Sequence, residues 1–384
     1  MLPFDPTYPM KMKLKNLTLI SLVLFVTACK LNDNEDMALI PTSENFQHDV
    51  DGKHTDLFVL KNDHGMQAAI TNYGGRLVSL VVPDQNGVPV DVVVGFDGLD
   101  RYINSSEPYF GATIGRYANR IAKGNFSIDG KDYHVVPNNG ANALHGGKQG
   151  FQYKVWNAAK LSDSVLVLTY RSKDGEEGFP GNLLVKVTYL LTNDNQLELN
   201  YYATSDQPTV INLTNHAFFN LNGSGSILNH SLMINANRYM PVDTTLIPTG
   251  DLIPVKGTPF DFRISEKIGS RINEDNEQLR FGKGYDHNYA LNKSKMMPAA
   301  SVTGDQSGIT MEVYTEEPGL QFYSGNFMQG KNKLRTGPDN FRTAFCLETQ
   351  HFPDSPNHPN FPSTVLRPGE VYRTSSIYAF SAEK

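Results

Sequence analysis

The strongest constraint on the fold is a turn signal set between two alternating runs. In "FSIDGKDYHV" (126–135) apolar and polar residues alternate on both sides of Asp129-Gly130. That dipeptide tolerates the positive φ angles of a type I′ hairpin, and alternation with period two describes a strand with one buried face. The pattern recurs along the chain. "LVSLVVPDQNGVPVDVVVGF" carries Asn86-Gly87, read in the same role, while "LLVKVTYLLT" and "QLELNYYATS" are joined through Asn193-Asp194-Asn195. Only "DGLDRYI" and "NEDNEQLR" are compatible with helix, and neither sustains an amphipathic period. From about Asp56 onward the chain therefore reads as all-β, one large antiparallel β-sandwich without internal repeat or linker.

The first 29 residues do not belong to that domain. "MKMKLKNLTLISLVLFVTAC" has a basic start, a short apolar run and small residues before Cys29. The run is too short to span a bilayer and has the layout of a secretory signal. Val26-Thr27-Ala28-Cys29 resembles a lipobox, so residues 1–29 are expected to be a lipoprotein signal with Cys29 lipidated. Residues 30–50 are expected to form a flexible tether to a domain spanning 51–384. These features predict a lipid-anchored protein of the bacterial cell envelope, facing the periplasm or the cell surface. Cys346 is the other of only two cysteines. With Cys29 lipidated no internal disulfide is possible, and Cys346, flanked by apolar residues, is expected to be structural.

Forty acidic residues stand against thirty-four basic ones, a formal net charge of −6. No basic cluster in the body of the chain offers a surface to nucleic acid. Glycine-rich phosphate loops and nucleophile-elbow serines are absent from the sequence. His287, His351 and His358 sit at no recognised ligand spacing, so no metal and no cofactor are expected.

"INLTNHAFFNLNG" (211–223) departs from a plain core strand. With period two, Ile211, Leu213, Ala217, Phe219 and Leu221 share a face that is apolar except for Asn215. Asn212, Thr214, His216, Phe218 and Asn220 share the other, which mixes hydrogen-bonding groups with an aromatic ring and suits a small polar ligand. Five further polar segments would be costly to bury without a purpose: "GRYANRIAKG", "NALHGG", "GYDHNY", "PGLQFYSGNF" and "FCLETQHFPDSPNHP".

In this order, these six segments resemble the motifs of the aldose 1-epimerases, or galactose mutarotases, over roughly Asp51 to Phe380. The resemblance implies a galactose mutarotase-like sandwich that interconverts the α and β anomers of free aldohexoses such as glucose and galactose without a cofactor. It implies Glu348 of "LETQ" as general base and His216 of "TNH" as general acid. Asn119 and Arg120 of "ANRIAKG", His145 of "LHGG", Asp286 of "YDHN" and Gln321 of "GLQFYSGNF" are implied as sugar contacts. Phe218 stands where the family usually has tyrosine, which removes one hydroxyl but neither proton-transfer group.

Ring opening requires a proton to leave the C1 hydroxyl while another reaches the ring oxygen, which calls for one base and one acid on opposite sides of the acetal. Burial would raise the pKa of Glu348 and a nearby Arg120 would lower it; the sequence leaves the balance open. A small aldose is the expected partner and a monomer or weak dimer the expected state. Two other readings stay open at this level: a non-catalytic sugar-binding lipoprotein, which would not need both Glu348 and His216, and an epimerase of hexose 6-phosphates, which would want added basic residues.

Overall fold

The computed structural model describes residues 39–292 and 297–382. Period-two alternation becomes burial alternation. Leu183–Leu191 and Gln196–Ser205 bury every second side chain, and they pair antiparallel from Leu183↔Ser205 to Leu191↔Leu197. They belong to a nine-stranded sheet in which the long strand Tyr372–Ala382 joins Gln196–Ser205 to Ile309–Thr315. A five-stranded sheet holds Asp286–Leu291, Gly319–Tyr323 and Cys346–Gln350 as consecutive neighbours, and a four-stranded sheet spans Leu57 to Asp91. Val185, Val187 and Leu199 of the large sheet share one core with Leu320, Phe322 and Leu347 of the five-stranded sheet and with Leu77 and Leu80 of the four-stranded one. The layers face each other as the sandwich requires.

The Asp129-Gly130 hairpin forms as expected, with both residues at positive φ (52° and 80°) and Ile128 paired with Lys131. Asn86-Gly87 does not. Only Gly87 has positive φ, and the connection runs through residues 84–88 between the paired prolines Pro83 and Pro89. Two prolines without N–H groups cannot close a two-residue turn by ladder bonds. The Asp84 carboxylate closes the wider loop instead, accepting from the N–H groups of Asn86 and Val88 at 2.7 and 2.8 Å. Both helical expectations are met, at Leu99–Ile103 and at Glu277–Gly282, the latter capped by Asn276.

The tether expected over residues 30–50 needs correction at its C-terminal end. Ser43–Phe46 forms a 3-10 turn, and Phe46 is fully buried against Tyr102 because its ring completes a second apolar cluster around Phe96 and Phe110. The domain therefore starts ahead of residue 51. Cys29, the signal layout and the first part of the tether lie outside the described residues.

Candidate active site

Strand register builds one wall of the site. Along Cys346–Gln350 and Gly319–Tyr323, Leu347, Leu320 and Phe322 enter the sandwich core, so Glu348 and Gln321 project from the opposite face. Gln321 lies directly across from Glu348, and the next strand brings Asp286 within 2.7 Å of Gln321 Nε2, which donates to its carboxylate. Three residues far apart in sequence thus form one polar row. Asp286 opens a strand here.

His216 arrives on the short strand Thr214–His216, paired with Ala112–Ile114. The two-face reading of its segment holds: Ile211, Leu213, Ala217, Phe219 and Leu221 lie in the main core, while Phe218 packs in the second cluster. Asn215, the polar residue on the apolar face, donates to Gly111 O and to the Tyr189 hydroxyl. Phe218 stacks on the imidazole of His216 at 4.9 Å and also contacts Phe110. The absent hydroxyl is thus replaced by packing on the ring.

Asn119, Arg120 and His145 come from two loops tied by the pairing of Leu144 with Arg120. His145 N–H donates to Asn119 O at 3.0 Å, and Asn119 N–H donates to His145 Nδ1 at 3.2 Å. Both residues have left-handed φ, 63° and 50°. Arg120 Nε donates to Asn139 Oδ1, and no acid lies in ion-pair range of Arg120 among the described residues. The loop after Glu348 docks on the same segment through Asp354, whose N–H donates to Arg120 O and whose carboxylate accepts from Ala122 N–H.

These elements enclose a cavity of about 520 Å³ lined by Glu348, His216, His145, Asn119, Arg120 and Asp286, with Gln321 behind Asp286. A hexose fits that volume. His216 Nε2 lies 3.5 Å from Glu348 Oε1, and both side chains are almost fully buried. The pair stands side by side rather than on opposite sides of a bound acetal, because 3.5 Å leaves no room for a sugar between them. Glu348 Oε2 and Gln321 Oε1 are buried without a protein partner.

Burial dominates the electrostatics. It raises Glu348 well above 4.5, reinforced by Asp286 and Glu107 and opposed by Arg120, so desolvation prevails over the guanidinium. Burial lowers His216 to about 3, opposed in part by its own main chain and helped by Arg76. It also lowers His145 well below 6.5, helped by His216 and Arg120. The Glu348 and His216 shifts both favour a neutral carboxyl beside a neutral imidazole over a standing ion pair.

Three contributors escaped the sequence reading. Cys346 is buried as expected of a structural thiol, but its Sγ lies 3.5 Å from His216 Nδ1. It sits two residues from Glu348 on one strand, and period two places both on the same face. Tyr109 contacts the His145 ring at 4.5 Å and stacks on His216 at 5.7 Å. Glu107, half-buried in the same wall, is raised to about 7, chiefly by desolvation. Both precede the "GRYANRIAKG" segment in "SSEPYFGAT", where an acid beside proline and tyrosine was the available signal.

Among the described residues, one group of donors is close enough to hold a metal ion: His145, His216 and Glu348, with ligand atoms within 4.8 Å of one another. His287, His351 and His358 do not join it. They pair separately with Gln278, Glu317 and Asp354.

Residues 56–379 match the aldose 1-epimerase family. The chain belongs to that family. The galactose mutarotase of Rattus norvegicus is 45% identical over 336 residues, 86% of this chain and 95% of its own length. The aldose 1-epimerase of Escherichia coli is 39% identical, covering 91% of this chain and 99% of its own length. An aldose epimerase homologue from C. elegans superposes with a TM-score of 0.80 at 31% identity, covering 86% of this chain and all of the other. The chain is an isomerase of the mutarotase type on the galactose mutarotase-like all-β fold. The expected envelope localisation is overturned by these relatives. The mammalian galactose mutarotases, such as the 44% identical protein of Sus scrofa, are not lipid-anchored proteins of a bacterial envelope.

Proposed function

We propose that this aldose 1-epimerase interconverts the anomers of free aldohexoses through Glu348 and His216 acting as one proton-relay pair. The observation that carries the reading is the 3.5 Å contact between His216 Nε2 and Glu348 Oε1 on the floor of a sugar-sized cavity. O1 and the ring oxygen of a pyranose are both bonded to C1, so an acid and a base standing side by side reach both at once.

The neutral resting pair and the working pair contain the same protons. Moving one proton from Glu348 to His216 gives a carboxylate and an imidazolium, and Arg120 favours that shift by lowering Glu348. Glu348 then takes the proton from the C1 hydroxyl while His216 Nε2 delivers one to the ring oxygen, and the C1–O5 bond opens. Rotation about C1–C2 presents the other face of the aldehyde. Reclosure runs both transfers backwards and restores the starting protonation, so no proton is consumed.

Asn119, Arg120, Asp286 and Gln321 hold the remaining hydroxyls. Asp286 already accepts from Gln321 Nε2, which leaves Gln321 Oε1 open to a sugar hydroxyl. Three carboxyl groups line the cavity, Glu107, Asp286 and Glu348, against Arg120 and Lys283. Among the described residues, no larger cluster of basic side chains lines the cavity to receive a phosphate dianion, which supports a free sugar over a hexose 6-phosphate. Polarimetry on freshly dissolved α-galactose and α-glucose, with no metal or nucleotide added, tests the reading. Accelerated mutarotation is expected, and a rate equal to buffer alone would refute it.

A further inference from the structure

We propose that the two pocket histidines are held in opposite neutral tautomers, His145 with its proton on Nε2 and His216 with its proton on Nδ1, and that Cys346 is a positioning residue for His216. The proposal deepens the acid–base reading above and rests on it for its catalytic meaning. The tautomers themselves are fixed by hydrogen-bond chemistry.

His145 Nδ1 lies 3.2 Å from the main-chain N–H of Asn119. A peptide N–H only donates, so Nδ1 must present its lone pair. A neutral imidazole carries one N–H, and in His145 it is therefore on Nε2. The reciprocal bond from His145 N–H to Asn119 O, between two residues of left-handed φ, sets this arrangement in the main chain rather than in a side-chain rotamer. His145 is consequently a fixed donor to a sugar oxygen. It does not share the acid–base cycle with His216, and its Nε2 proton stands where a metal ion would have to bind.

His216 is arranged the other way round. Nε2 faces Glu348, and Nδ1 faces the sulfur of Cys346 at 3.5 Å. Burial disfavours a carboxylate at Glu348, and a neutral carboxyl facing Nε2 at 3.5 Å needs an acceptor there, so Nε2 presents its lone pair. Nδ1 therefore carries the proton, and Nε2 is the nitrogen that gains and loses one. The same tautomer gives the neutral Glu348 carboxyl an acceptor in the unliganded site. Burial keeps the Cys346 thiol protonated, so its sulfur accepts from Nδ1–H without charge. A carboxylate in that place would stabilise the imidazolium and make it a poorer acid. A thiol orients the ring and leaves its acidity alone.

The test is two-bond ¹H–¹⁵N correlation spectroscopy on the full, uniformly ¹⁵N-labelled chain near neutral pH, with His145→Asn and His216→Asn used for assignment only. The wild type is expected to show His145 protonated on Nε2 and His216 on Nδ1. Cys346→Ala should mix the His216 tautomers and lower kcat roughly threefold to tenfold, the worth of one weak hydrogen bond, with KM unchanged. Cys346→Ser, whose hydroxyl also accepts, should restore the tautomer and most of the rate. The same tautomer on both wild-type histidines would overturn the proposal whether or not the variants fold. So would a Cys346→Ala protein with unchanged His216 tautomer and kcat. Absence of mutarotation in the wild type would instead refute the acid–base reading and leave the tautomer assignment standing.

Discussion

His216 Nε2 and Glu348 Oε1 approach to 3.5 Å from two strands 132 positions apart in the chain, and neither side chain has appreciable contact with solvent. Groups this close act on one acetal as a unit. His216→Asn is expected to lower kcat by about 10²–10⁴-fold, as loss of a general acid does. Adding Glu348→Gln to it should cost far less than the product of the single losses. Steady-state polarimetry on the single and double variants checks this; multiplicative losses would mean that the two residues act independently.

The pH profile follows from the same burial. With His216 lowered to about 3 and Glu348 raised well above 4.5, the pair keeps a single proton over the interval between the two. Below about 3 a second proton removes the base, and as pH rises through the raised Glu348 value the pair loses its only proton. The profile of kcat/KM is expected to be a broad plateau whose acid limb lies far below the 6.5 of an ordinary imidazole. An acid limb centred near 6.5 would contradict the neutral resting pair.

Glu107 gives a stability test. Its carboxyl is raised from 4.5 to about 7, so the folded chain binds more protons than the unfolded chain between those values. The stability this contributes is fully present below about 4.5 and is lost as pH rises through about 7. The Tm of the wild type should therefore fall further between pH 4.5 and pH 8 than that of Glu107→Gln. Equal falls in the two proteins would remove the assignment.

Gly146 follows His145 with φ of 83°, and a Cβ added there would lie 2.0 Å from Gly115 O. Gly146→Ala forces both a left-handed alanine and a main-chain clash, a cost of at least about 1–3 kcal/mol. Differential scanning calorimetry should show a lower Tm. The KM for galactose should rise as well, because His145 is displaced with its loop.

Much of this was legible in the residues, for physical reasons that can be named. Alternation in Leu183–Leu191 and Gln196–Ser205 survives because a sandwich strand has one buried face, and Asp129-Gly130 turns as its positive φ angles demand. The resemblance brought His145, His216, Asp286, Gln321 and Glu348 forward, and cross-strand register then explains why Gln321 and Glu348 meet. Asn86-Gly87 misled because its closure depends on Pro83 and Pro89 outside the dipeptide. Cys346 was read from its apolar flanks, and its sulfur meets His216 through a contact 130 positions away that no local pattern encodes. The balance on Glu348 between burial and Arg120 depended on depth, which only the packed fold supplies.

The most direct test of the central claim is Glu348→Gln, measured by polarimetry for turnover and by calorimetric titration for galactose binding. Gln keeps the size of the side chain and removes its ability to take a proton, while Asn119, Arg120, Asp286 and Gln321 remain to hold the hydroxyls. The account predicts a kcat lower by about 10²–10⁴-fold with galactose affinity largely retained. A folded Glu348→Gln enzyme that turns over galactose at close to the wild-type rate would contradict it.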